Sequence, residues 1–109
     1  MDTLPFEEQK NDSWYIVKAL GRIDTMTAPQ AAETVMPKLA EHDKLALDLA
    51  DLDYISSAGL RVLLRLAKQA KADNKVFALL GAAGMVQEVL EESGMDVLFT
   101  MYATEAELL

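Results

Sequence analysis

Residues 14–20 read Trp-Tyr-Ile-Val-Lys-Ala-Leu, a run dense in aromatic and β-branched side chains. Such a run predicts a strand, and Gly21 marks its end. A shorter strand is predicted around residues 4–9, with Asn11, Asp12 and Ser13 forming the turn between the two. Thr27 is a suitable N-cap, and Pro29 falls in a first turn where a missing N–H does no harm. That helix should extend to about Glu41, with Pro37 kinking or shortening it. Residues 44–49 alternate apolar and polar, which signals a strand, and Asp51, Leu52 and Asp53 read as a turn. A second helix is predicted from about Ala58 to Ala72. Leu60, Leu63, Leu64 and Ala67 form its apolar stripe, while Arg61, Arg65 and Lys68 line another face. Asp73 and Asn74 close it. Residues 76–80 form a short apolar strand that should be buried. A third helix follows over residues 83–92, ended by Gly94 at the C′ position. A last strand is predicted over residues 97–101, and Thr104 caps a short final helix.

This order alternates strands with helices over short connections, the pattern of an α/β domain with helices packed on a sheet. The first two strands read as a hairpin and the later ones are separated by helices. The sheet is therefore expected to be mixed, with four to five strands and about four helices. No linker or internal repeat divides the chain, so residues 1–109 are expected to form one domain.

Composition narrows the chemistry. Apolar residues make up 51% of the chain, enough for a folded core, and no apolar run reaches the ~20 residues that span a bilayer. The acidic N-terminus lacks a signal-peptide stretch, so a cytoplasmic protein is expected. The chain has no cysteine, which excludes disulfides, thiolate metal sites and cysteine catalysis. His42 is the single histidine, and its polar surroundings read as ordinary surface. No metal site, cofactor or catalytic residue is expected. The formal net charge is −8, which disfavours direct binding of nucleic acid. The charge is uneven. Six acidic residues and no basic one follow Lys75, whereas residues 55–75 carry five Lys or Arg against Asp73 alone. A basic helix on an acidic body suits a partner of mixed charge.

The candidate site lies in residues 51–61, where a strand gives way to a helix. Ser56 and Ser57 fall at the helix start, and either can serve as N-cap. Gly59 sits inside the first turn, where glycine costs helix stability. Its missing side chain lets either the sheet or another molecule come close. Free N–H groups at a helix start favour an anion, so a phosphate on Ser57 would be accommodated there and would change the local charge. Asp51 and Asp53 would repel it. Neither a G-x-S-x-G elbow nor a G-x-x-x-x-G-K-[ST] loop is present, which argues against a serine hydrolase or a nucleotide-binding enzyme. Gly81-Ala-Ala-Gly84 reads as a strand-to-helix turn.

Two segments resemble the STAS domain of bacterial anti-sigma factor antagonists. GRIDTMTA at residues 21–28 is similar to the family's G-x-[IL]-D-x-x-[TS]-A, and YISSAGL at residues 54–60 to its apolar-apolar-[DS]-S-[STA]-G-L. ESGM at residues 92–95 resembles a third, shorter segment. The resemblance implies the STAS fold and a partner-switching mechanism. The unmodified antagonist binds an anti-sigma factor that is also a serine kinase using ATP and Mg²⁺, and so frees the sigma factor. Phosphorylation of the antagonist dissolves the complex, and a PP2C-type phosphatase resets it. The phosphorylated serine of the family falls on Ser57, and its neighbouring acidic position on Asp24. The partner-binding surface then comprises Asp24, Thr25, Ser56 and Ser57 with Gly59, Leu60 and Arg61. This chain has Ser56 where the best-known members have Asp, which makes Ser56 a rival phosphosite, and Ala58 where they have Ser or Thr. The alternative is a constitutive STAS scaffold in a signalling or lipid-transport complex, with Ser57 only capping its helix.

Overall fold

A computed structural model describes residues 6–11 and 13–108. The chain runs β1 (Phe6–Asn11), β2 (Trp14–Ala19), β3 (Gly21–Ile23), α1 (Ala28–Glu41), β4 (Lys44–Asp48), β5 (Leu52–Ile55), α2 (Ser57–Ala72), β6 (Val76–Leu80), α3 (Gly84–Glu92) and β7 (Thr100–Tyr102). Two 3-10 turns, Met95–Leu98 and Glu105–Glu107, flank β7. The predicted first strand begins at Leu4, which lies outside the described residues, as does the predicted turn residue Asp12.

Five strands form one sheet in the order β1-β2-β4-β6-β7. β1 pairs antiparallel with β2, and every other neighbour is parallel, so the sheet is mixed as the hairpin-then-crossover pattern predicts. Strand alternation sends side chains to two cores. Leu45, Leu47, Phe77 and Leu79 face the helices together with Val17, Val35, Leu63 and Leu66. Trp14, Ile16, Ala46, Ala78 and Leu80 face the opposite side, where Tyr102 and Leu108 pack on them. The central strand β6 is thus apolar on both faces, and in β4 Ala46 is buried in the second core between Lys44 and Asp48 although its strand reads as alternating.

Several boundaries differ from the sequence reading, each for a local reason. The turn expected at Asp51 to Asp53 contains the start of β5. This strand pairs in parallel with β3, which begins at Gly21, to make a separate two-stranded sheet. α1 continues through Pro37 to Glu41. Thr27 precedes α1, but its side chain does not cap it. On α2 the buried line is Leu60, Val62, Leu63, Leu66 and Ala70, while Leu64 and Ala67 are only half-buried. The last strand starts at Thr100 rather than residue 97. Val97 and Leu98 belong to a 3-10 turn and are exposed, 81% and 56%. The final helix is a single 3-10 turn closed by a reciprocal cap between Thr104 and Glu107. Gly94 follows α3 at φ +75°, the left-handed geometry of a C′ glycine.

Candidate functional site

The two motif segments meet through β3 and β5. Arg22 lies opposite Tyr54 and Ile23 opposite Ile55. As the chain leaves β5, the Ser56 amide donates to the Ile23 carbonyl at 2.8 Å. Helix α2 then starts directly above this pair. Its first turn comes close because Gly59 has no side chain: a Cβ there would stand 2.6 Å from Ile55 Cγ1 and 2.8 Å from Ile23 Cγ2. Both isoleucines are almost wholly buried. Of the two readings of Gly59, close approach to the sheet is therefore the one the packing requires. Gly59 and Leu60 are buried and support the surface from beneath.

The two serines take different roles. Ser56 has extended backbone (φ −93°, ψ 175°), and its hydroxyl accepts the Gly59 amide at 3.3 Å. That is N-cap geometry, so capping belongs to Ser56 and not to Ser57. Ser57 is the first helical residue, and its exposed hydroxyl has no partner among the described residues. Arg61 lies one turn along α2 and is also exposed.

The loop after β3 is organised by Asp24. Its Oδ1 accepts the amides of Met26 at 2.9 Å and Thr27 at 3.0 Å, while its backbone carbonyl accepts the Ala28 amide at 2.8 Å. Thr27 is buried with its hydroxyl donating to the Arg22 carbonyl at 2.9 Å and accepting the Asp24 amide at 2.8 Å. The Asp24 side chain thus holds the two amides that precede α1 and its carbonyl takes the first helical amide, while no side chain caps α1, where the sequence pointed to Thr27. The Thr27 amide is the main reason the Asp24 carboxyl is held below its usual range. The Met26 amide and the Arg22 guanidinium act in the same direction, and desolvation opposes them. Asp24 is therefore ionised at neutral pH, but its charge is engaged by its own loop. Thr25 and Met26 at the tip are exposed, Met26 at 71%.

Arg22 is the participant that the sequence reading did not single out. Its Nε lies 3.2 Å from Asp24 Oδ2, and its guanidinium lies 4.8 Å from the Tyr54 ring centroid. It ties the loop after β3 to β5. Its signal was its place beside Gly21 in the first motif. Asp51, expected to repel an anion, is paired with Lys18 at 2.8 Å. A shallow groove of about 340 Å³ runs between α1 and α2, with Ala28, Pro29 and Val62 in its walls and Arg61 and Arg65 at its rim. No described helix is long and apolar enough to cross a membrane.

A family model described as the STAS domain matches residues 5–108. The chain belongs to the STAS domain family. Among curated relatives of this STAS protein is the anti-sigma-B factor antagonist of Staphylococcus epidermidis, 28% identical over 107 residues, covering 95% of this chain and 98% of the relative. Among solved structures, an anti-sigma factor antagonist from Mycobacterium paratuberculosis superposes with a TM-score of 0.85 at 21% identity, covering 95% of this chain and 89% of that one. The Bacillus cell fate determinant SpoIIAA in its phosphorylated form superposes with a TM-score of 0.69 at 16% identity, covering 94% and 95%. These two structures have the same fold as this STAS protein.

Proposed function

We propose that this STAS protein is an anti-sigma factor antagonist switched off by phosphorylation at Ser57. The observation that carries the reading is the division of labour at the start of α2. Ser56 is committed to the cap, and the Ser57 hydroxyl is exposed and uncommitted. Further support comes from a relative named as an anti-sigma-B factor antagonist and from a structural neighbour solved in a phosphorylated form. In the unmodified state the surface around Ser57, with Thr25 and Arg61, binds an anti-sigma factor serine kinase and so releases a sigma factor. The kinase then transfers the γ-phosphoryl group of ATP. A bond forms between the γ-phosphorus and Ser57 Oγ as the bond to the β–γ bridging oxygen breaks, the hydroxyl proton passes to a base of the kinase, and ADP departs. The new charge of about −2 ends the complex without refolding the domain. A PP2C-type phosphatase restores the hydroxyl by hydrolysis. The protein itself contributes no catalytic group or cofactor.

The test combines the purified protein with its cognate kinase, ATP and Mg²⁺, followed by intact mass and site mapping. One phosphate is expected, and it should be lost in Ser57→Ala. Incorporation that survives Ser57→Ala but vanishes in Ser56→Ala would move the site to Ser56. Ser57→Asp should bind the kinase more weakly than Ser57→Ala. Equal binding of parent, Ser57→Ala and Ser57→Asp would make the domain a constitutive scaffold instead.

A further inference from the structure

Arg61 lies four residues after Ser57 on α2, and both side chains are exposed. Residues four apart on a helix are neighbours, with Cβ atoms about 5–6 Å apart, and an acid preceding a base at this spacing is the favourable order. Helical side chains also lean towards the N-terminus, so the Arg61 stem points back over the turn that carries Ser57.

Nothing else on the helix claims this guanidinium. The positions three and four residues away from Arg61 are Ser57, Ala58, Leu64 and Arg65, none of them acidic. The Arg61 side chain makes no hydrogen bond or ion pair among the described residues. The other cations nearby are less suited. Arg22 is already held by Asp24 and the Tyr54 ring. Arg65 is eight residues from Ser57, about 12 Å along the helix.

We infer that Arg61 is the built-in counter-ion of a phosphate on Ser57, so that modification also withdraws Arg61 from the partner. This inference rests on the proposed switch at Ser57 and specifies how the switch works. In the unmodified protein, Arg61 stands free at the rim of the groove between α1 and α2, where it can pair with a carboxylate of the anti-sigma factor. A phosphoserine at position 57 accepts the guanidinium through two parallel N–H···O bonds, the geometry in which arginine binds phosphate best. The surface shared by these two residues then changes from about +1 to about −1. The partner thus loses an attractive cation at the same moment as it meets a new anion.

The experiment installs phosphoserine at position 57 during synthesis of the full chain and follows its second ionisation by ³¹P NMR at low ionic strength. Four proteins are compared: the parent, Arg61→Gln, Arg61→Lys and Arg65→Gln. Arg22, Asp53 and Tyr54 of the neighbouring strands, Asp24 of the loop after β3 and Glu33 of α1 are the same in all four. An arginine paired with the dianion lowers its pKa, so Arg61→Gln should raise it by about 0.3 unit. Arg61→Lys should restore part of the shift, and Arg65→Gln should leave it unchanged. Identical values in the parent and Arg61→Gln, or an equal shift from Arg65→Gln, would overturn the inference. No kinase is needed, so a negative result here concerns Arg61 alone, whereas failure of a kinase to modify Ser57 concerns the switch itself.

Discussion

A Cβ on Gly59 would lie 2.8 Å from Cγ2 of Ile23, nearer than unbonded carbons approach one another. Helix α2 and strand β3 are therefore in contact where the candidate site begins. Gly59→Ala gains helix propensity but overpacks this contact, with a net loss of about 1 kcal/mol. Thermal unfolding should fall by about 4–8 °C. Amide shifts of residues 23, 55 and 57 should move together. Unchanged stability would show that Ile23 and Ile55 repack without cost.

Ser56 and Ser57 should respond differently to truncation. Ser56→Ala removes the cap and should cost about 1 kcal/mol in urea unfolding. Ser57→Ala removes an exposed, unbonded hydroxyl and should stay within about 0.5 kcal/mol of the parent. The reverse order would assign the cap to Ser57.

Asp24 should titrate below an ordinary aspartate, because the Thr27 and Met26 amides favour its ionised form. Its contribution to stability is complete above the unfolded carboxyl value of about 3.9 and is lost as pH falls through the lower folded value. Asp24→Asn should therefore be less stable than the parent at neutral pH, with the gap closing in acid. Carboxyl NMR of Asp24 together with unfolding at several pH values checks this.

Tyr15 offers a test far from the site. Its hydroxyl donates to Glu8, and its ring stacks on His42 with centroids 3.9 Å apart. The bond to Glu8 is the leading cause that pushes the phenol up to about 12. The gain in stability is complete below pH ~10 and disappears as pH rises through the folded value. Tyr15 should ionise late in an ultraviolet titration, and Glu8→Gln should bring it back towards 10.

Long periodic segments were legible in the sequence. α2 was predicted to within one residue of its start because its apolar positions recur at helical spacing, and β6 because five apolar residues lie between turn signals. β3 and β5 were not legible. They have three and four residues, too few for alternation to register, and they contain Gly21 and Asp53, which read as punctuation. Val97 and Leu98 misled in the other direction, as apolar residues that remain in solvent. At the site, the motifs indicated which residues gather. Ser56 and Ser57 are equally good caps by residue type, and only the extended backbone of Ser56 separates them. Arg22 was hidden because a cross-strand contact with Tyr54 requires the β3–β5 pair to be known.

The close seat of Gly59 on Ile23 and Ile55 has a consequence for substrate recognition. Many serine kinases thread an extended peptide through the active site, but Ser57 sits on a helix whose first turn is fixed to the core. Freeing it as an extended segment would break the Ser56 amide bond to Ile23 and expose both isoleucines. A kinase acting on this chain must read a folded surface, and a synthetic peptide of residues 51–61 should be a poor substitute for the whole protein.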